Sequence, residues 1–382
     1  MTWMSDISSP GTTSRLTRRG LFRTATGAVA VAVVRAQELK RGPTVHDGIR
    51  EMAANAPLAM QFPGGTAEEC REWQGRFRAR LGTLLGPYHP PTNWRVTVEK
   101  STEFQDHRRE SLLLEADGHP VLPLYLLTPK SAAGQPGPAV VALHGHGPFG
   151  HDPVAGVDTS DELRKNIADF NYDYGRQLAR RGYVVAAPCF TPFGRRLDEP
   201  AAYRGDDPCA VAFVRLQLLG KVLMAENLRD ALWAFELLRK REDVDGERIG
   251  CVGLSYGGRM TMLTAAMEPR IRAAVCSGSL NVMQERIRGR YSCGAQVIPG
   301  LLRYGDVPEI GGLIAPRPCV WEVGSKDGLM VKDWIPRALE RIGRAYEAFG
   351  AADQLQVDRF DGGHQWSGRL AYPMLERAVV TG

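Results

Sequence analysis

Hydrophobic positions along the chain change their period several times, and each change marks an element. Trp73, Phe77, Leu81, Leu84 and Leu85 recur at helical spacing, which makes one face of a helix apolar. Thr66, with Glu69 three residues on, forms a capping-box pattern at its start, and Gly86-Pro87 stops it. Ahead of this helix, Pro43, Pro57, Pro63 and Gly64-Gly65 predict an irregular arm over residues 37–65. From Trp94 the period falls to two: Trp94, Val96 and Val98 alternate with polar residues. Two further strands are expected over residues 111–115 and 121–128, broken at Asp117-Gly118.

Beyond residue 138 a repeating unit begins. The runs AVVALH (139–144), YVVAAP (183–188), RIGCVGLS (248–255), AAVCSGS (273–279), CVWEVGS (319–325) and LQVDRF (355–360) carry few charges. Helical patterns separate them, over residues 172–181, 216–241, from Tyr256 onward, and over 334–349. Strands apolar on both faces, alternating with amphipathic helices, predict a mostly parallel sheet covered on both sides, opened by antiparallel strands: an α/β fold. Two long connections, residues 145–171 and 280–318, interrupt the rhythm. They are expected beside a pocket, because sites in such sheets lie beyond the carboxyl ends of the strands.

With 382 residues and 43% hydrophobic content, the chain can bury one large core. The expected division is a leader over residues 1–36, the arm and helix over 37–92, and the main domain over 93–382, with 280–318 as an insertion near the site. The formal charge of +5 comes largely from the leader, where Arg15, Arg18, Arg19, Arg23 and Arg35 face the single acid Asp6. Without it the chain is close to neutral, so no nucleic-acid partner is expected. The leader pairs Arg18-Arg19 with a modest apolar stretch, Ala25–Val34, and ends in small residues. It resembles a twin-arginine export signal, which predicts a periplasmic or extracellular protein; a disordered basic tail on a cytoplasmic protein is the alternative. The apolar stretch is too short to span a bilayer, which needs about 20 residues. Seven cysteines lie scattered without paired spacing, and most read as buried free thiols.

Candidate chemistry centres on GLSYGG, residues 253–258. Ser255 directly follows an apolar strand and precedes a helix, the context of a nucleophile elbow, and its glycine neighbours allow strand and helix to approach closely. A serine hydroxyl needs a base, and the base needs an orienting acid. Asp327 in GSKDG follows one strand and His364 in DGGH follows the last, so all three converge at one edge of the sheet. Glu322, Asp333 and Asp361 are rival acids. For an oxyanion, the expected donors are the backbone N–H groups of Tyr256 and of His146 in the HGHG loop. A metal set of His144, His146, His151 and Asp152 is a weaker reading, and neither metal nor other cofactor is expected. Tyr291, Tyr304, Trp366 and Arg195 are candidates for the pocket wall, although Trp366 also suits a buried anchor and Arg195 a tie between loops.

Together HGHG (144–147), GLSYGG, LIAPRPCVWEVGSKDG (313–328) and FDGGH (360–364) resemble the α/β-hydrolase superfamily over about residues 105–370. Within it they are similar to the dienelactone-hydrolase-like and acetyl xylan esterase-like branches. That resemblance implies Ser255 as nucleophile, His364 as base, Asp327 as acid, and the N–H groups of Tyr256 and His146 as oxyanion donors; export through the leader would make acylated carbohydrate or another small extracellular ester the expected substrate class. Dienelactone hydrolases proper carry cysteine where this chain has Ser255, which favours ordinary ester cleavage. A peptidase or amidase on the same fold and a non-catalytic binding protein are the alternatives.

Overall fold

The computed structural model describes residues 43–130, 135–198, 207–290 and 292–381. Contacts divide the chain after Thr44, and residues 45–382 pack as one unit. The twin-arginine leader, and Tyr291 with it, lie outside the described residues.

A nine-stranded sheet organises this unit. Its strands are β1 (Arg95–Glu103), β2 (His107–Glu115), β3 (Leu122–Pro129), β4 (Gly137–Leu143), β5 (Val184–Pro188), β6 (Val244–Leu254), β7 (Ala273–Ser277), β8 (Cys319–Gly324) and β9 (Leu355–Phe360), in the order β1-β2-β3-β5-β4-β6-β7-β8-β9. β1, β2 and β3 are antiparallel to their neighbours, and β5 through β9 run parallel. The charge-poor runs are explained by burial on both faces. In β4, Ala139, Val141 and Leu143 enter one hydrophobic cluster while Val140 and Ala142 enter another, and β6 to β8 split likewise, Trp321 to one side and Val320 to the other.

Helices cover both clusters. On one side lie α2 (Ala67–Leu85), α6 (Leu223–Arg239), α7 (Tyr256–Met267) and α10 (Ile335–Ala348); on the other lie α4 (Tyr174–Ala179) and α11 (Ala371–Leu375). The capping box of α2 forms as its sequence predicts, with Thr66 and Glu69 bonded reciprocally. Its aromatic stripe is buried, and Trp73 Nε1 donates to the Met60 carbonyl at 2.7 Å.

Two expectations are corrected. The arm contains a helix, α1 (Val45–Ala54), set between Pro43 and Pro57. The pattern over residues 216–241 is two helices, α5 (Pro208–Leu218) and α6, bent by 99°. Gly220, at φ 68°, ends α5 by placing its own N–H on Gln217 and that of Lys221 on Leu216 at 2.8 Å, a left-handed stop that apolar periodicity does not reveal. The period-two strand expected from Trp94 forms as β1, the sheet's edge; Val96 and Val98 stand exposed on it, and Arg95, Glu99, Lys100 and Glu103 discourage further pairing. The shorter connecting helices are α3 (Asp161–Phe170), α8 (Met283–Gly289) and α9 (Val307–Gly312). Among the described residues, no single helix is long and apolar enough to cross a membrane.

Candidate active site

Ser255 is the one residue between β6 and α7, and its backbone sits at φ 64°, ψ −120°. A non-glycine residue rarely holds such a conformation unless its surroundings impose it. Here they do. The Ser255 N–H donates to the Ser277 carbonyl at 2.9 Å, and the next turn of α7 is wedged against β4. A Cβ on Gly257 would come within 1.8 Å of the Leu143 carbonyl oxygen, and one on Gly253 within 2.4 Å of Gly257. The glycines of GLSYGG are therefore fixed by backbone contact.

Asp327 and His364 arrive from the ends of β8 and β9. His364 Nδ1 lies 2.7 Å from Asp327 Oδ2, while Asp327 Oδ1 accepts the Leu329 N–H at 2.9 Å. The carboxylate is buried, 3% exposed. The other ring nitrogen, His364 Nε2, is buried without a hydrogen-bond partner among the described residues. Gly278 makes room for the ring: a Cβ there would lie 2.9 Å from His364 Cε1. Of the rival acids, Asp361 pairs with Lys326 in solvent, Asp333 is exposed in the turn before α10, and Glu322 bonds elsewhere.

Ser255 and His364 share a cavity of about 340 Å³ with His146 and Tyr256. That volume suits a small organic ligand. A cleft of about 480 Å³ between Tyr88–Trp94 and α6 is larger but contains no serine or cysteine. The N–H of Tyr256 heads α7, where the first turn leaves such groups without helical partners. In the loop after β4, the Gly145 N–H is taken by Tyr172 Oη at 2.7 Å, so the next donor in line is that of His146. Asn227 steadies this wall, donating to Tyr256 Oη at 2.8 Å and bonding both backbone groups of Thr191.

His144 is not free to hold a metal. Its Nδ1 meets the Gly145 carbonyl at 2.7 Å and its Nε2 accepts the Phe190 N–H at 2.8 Å, which defines a neutral ring, and burial pushes it down to about 4. His151 is buried against Tyr125. The four-residue set, the weaker reading of the sequence, is thus not a shared centre.

The pocket-wall candidates are mostly displaced. Trp366 is fully buried, stacked on Tyr174 at 4.8 Å and bonded to Tyr372 Oη, so it anchors its loop. Arg195 forms a two-bond pair with Glu99 and faces a different cleft, formed with Lys100, Arg109 and Tyr125. Tyr304 lies under the Arg80 guanidinium, outside the cavity. In their place, Asn281, Arg286, Cys293 and Gln296 line the cavity, all from the 280–318 insertion. Its length and position pointed there, but no periodic pattern singled out these side chains. All seven cysteines are buried and free. Cys293 is held below the ordinary thiol range, chiefly by the neighbouring Cys209 thiol, and Cys209 is raised in turn.

Glu322 lies beneath the His364 loop. Its carboxylate accepts the N–H groups of Ser367 at 3.0 Å and Gly368 at 2.7 Å, yet burial pushes it up to about 7. The folded state therefore keeps a proton that the unfolded chain, with an ordinary value of 4.5, has already lost. Stability from this group is fully present below pH 4.5 and declines until about pH 7, by up to about 3 kcal/mol. Glu322→Gln should remove this slope. Urea midpoints at pH 5 and pH 8 should differ less in the variant than in the parent, whatever constant offset the lost acceptor adds. Equal differences in both proteins would show that Glu322 does not titrate in this window.

A mostly parallel sheet with helices on both faces and a serine held at a strained strand-to-helix turn is the arrangement of the α/β-hydrolase fold. Solved structures share the fold. A "putative acetyl xylan esterase" of Bacteroides fragilis NCTC 9343 superposes with TM-score 0.71 at 19% identity, covering 85% of this chain and 84% of that one. A CE15 glucuronoyl esterase from Teredinibacter turnerae T7901 gives 0.60 at 16%, covering 85% and 90%. A glucuronoyl esterase from Solibacter usitatus gives 0.57 at 16%, covering 81% and 92%. In sequence, residues 122–285 match the dienelactone hydrolase family. The "Putative hydrolase YtaP" of Bacillus subtilis (strain 168) is 31% identical over 293 residues, 75% of this chain and 92% of that protein. The chain belongs to the dienelactone hydrolase family and is a hydrolase.

Proposed function

We propose that the protein cleaves carboxylic esters through an acyl-enzyme, with Ser255 as nucleophile, His364 as base and Asp327 as acid. The observation that carries this reading is the His364 Nδ1–Asp327 Oδ2 contact of 2.7 Å, which leaves an unpartnered Nε2 beside the cavity that Ser255 lines. With Nδ1–H donated to the carboxylate, Nε2 is the basic nitrogen. It takes the Ser255 proton as Oγ attacks the ester carbonyl, and the N–H groups of Tyr256 and His146 receive the oxyanion. The alcohol departs with the proton from Nε2. Water then enters, gives its proton to the same nitrogen, and releases the acid while Ser255 regains its hydrogen.

Acylated carbohydrate is the substrate class we favour. The solved neighbours named above include a "putative acetyl xylan esterase" and a CE15 glucuronoyl esterase, and the cavity wall carries the polar groups of Asn281, Arg286 and Gln296, suited to hydroxyl-rich ligands. A fluorophosphonate should label Ser255 on peptide mapping. A panel of short-chain esters, acetylated sugars and one matched amide should show turnover of the esters well above that of the amide. Absence of labelling at Ser255, or preference for the amide, would reject the reading.

A further inference from the structure

Beside the hydrolytic groups lies a second cluster whose side chains the proposed ester cleavage does not use. His146, Cys209 and Cys293 come from three separate segments: the loop after β4, the first turn of α5, and the insertion beyond α8. Each presents one ligand atom, and the three atoms lie within 4.8 Å of one another. Both thiols are buried and free, whereas the imidazole is exposed.

Local packing fixes all three. The Asp207 side chain accepts the Cys209 N–H at 2.9 Å and so sets the start of α5. Gly294 seats the neighbouring backbone on that helix, where a Cβ would come within 2.7 Å of Phe213. Cys293 is thereby held against α5. The His146 ring is gripped edge-on by Phe193 and Tyr256, with centroids 5.2 and 5.1 Å away. Apolar burial accounts for a thiol by itself, but it gives no reason for two thiols and an imidazole to converge on one point at a cavity wall.

We propose that His146, Cys209 and Cys293 form a binding site for a soft divalent cation of the zinc or cadmium type, opening onto the Ser255 cavity. Tetrahedral zinc, with Zn–S about 2.3 Å and Zn–N about 2.0–2.1 Å, sets its ligand atoms about 3.6–3.8 Å apart. The observed cluster needs only a small contraction to reach that. On binding, each thiol releases its proton to solvent, two metal–sulfur bonds and one metal–nitrogen bond form, and the two thiolates balance the ion's charge. No net charge is then buried. The fourth position faces the cavity, since both His146 and Cys293 line it. An ion there narrows the pocket and ties down the loop that supplies the His146 N–H, so it inhibits hydrolysis reversibly; this consequence rests on the proposed catalytic reading.

The test uses the full chain, reduced and then held without reductant under inert gas. Titration with Cd²⁺, followed by thiolate-to-metal ultraviolet absorption, and equilibrium dialysis with Zn²⁺ should each give one ion per chain. Cys209→Ala should weaken binding by roughly 100-fold or more, beyond the 10–100-fold that loss of an outer-shell partner costs. Cys70→Ala, at a thiol that donates to the Ala345 carbonyl instead, should bind as the parent does. Cys209 does not line the cavity, so its variant should keep basal ester hydrolysis and lose sensitivity to Zn²⁺. If Cys209→Ala unfolds, Cys209→Ser serves, with thermal melting as the check. Unchanged affinity in a folded Cys209 variant overturns the site, as does absence of stoichiometric binding, including through a Cys209–Cys293 disulfide that forms instead. Because binding is read without turnover, a protein that takes up one ion but cleaves no ester upholds the site and refutes the catalytic reading.

Discussion

Ser255→Ala is expected to lower kcat for a short-chain nitrophenyl ester by on the order of a million-fold, the scale of loss when a nucleophile is removed from groups that act as a unit. The fold should survive. Ser255 holds its φ of 64° through its backbone bond to Ser277 and the contacts of Gly253 and Gly257, all of which alanine retains. Alanine tolerates that conformation no worse than serine does, so the stability change should stay within about 1 kcal/mol. Steady-state kinetics and thermal unfolding on one preparation test both halves. The cavity holds two further candidates, the Ser279 hydroxyl and the Cys293 thiol. A loss below about 100-fold would transfer the attack to one of them, because residual catalysis without a nucleophile is far weaker than that.

What the sequence disclosed follows from how local each signal is. The elbow, the HGHG loop and the two loops bearing Asp327 and His364 were legible because each follows a strand whose apolar run is continuous, and parallel strands deliver such loops to one edge. The sheet itself was readable for the same reason, since burial on both faces suppresses charge along Val140–Leu143 or Ala273–Ser277. Less was visible where tertiary packing decides. The break between α5 and α6 depends on one glycine within an apolar stretch. Trp366 sits two residues beyond His364, yet its ring turns away to stack on Tyr174, and no periodicity governs the direction of a loop side chain. Arg195 found Glu99 on a distant strand. Likewise Gly278, which admits the His364 ring, reads in sequence as one more glycine after a strand, and the meeting of Cys209 with Cys293 joins segments with no shared pattern.

Asp327→Asn should lower kcat by about 10⁴-fold with KM little changed, although it alters no volume and removes no backbone contact. The reason lies in the two bonds of the carboxylate. Oδ1 accepts the Leu329 N–H at 2.9 Å and Oδ2 faces His364 Nδ1 at 2.7 Å. An asparagine must keep its oxygen toward Leu329, because an NH₂ there would meet another donor. Its NH₂ group then points at Nδ1 and turns that nitrogen into an acceptor. The imidazole proton moves to Nε2, where it faces Ser255 and cannot accept the serine's hydrogen. Substrate binding is untouched, since Asp327 does not line the cavity, and the loss therefore falls on kcat. Asp361→Asn is the matched control: that carboxylate is 78% exposed and paired with Lys326, so its variant should stay within a few-fold of the parent, as exposed pairs contribute little. Equal and small effects at both positions would remove Asp327 from the proposed chemistry and leave His364 without an orienting acid.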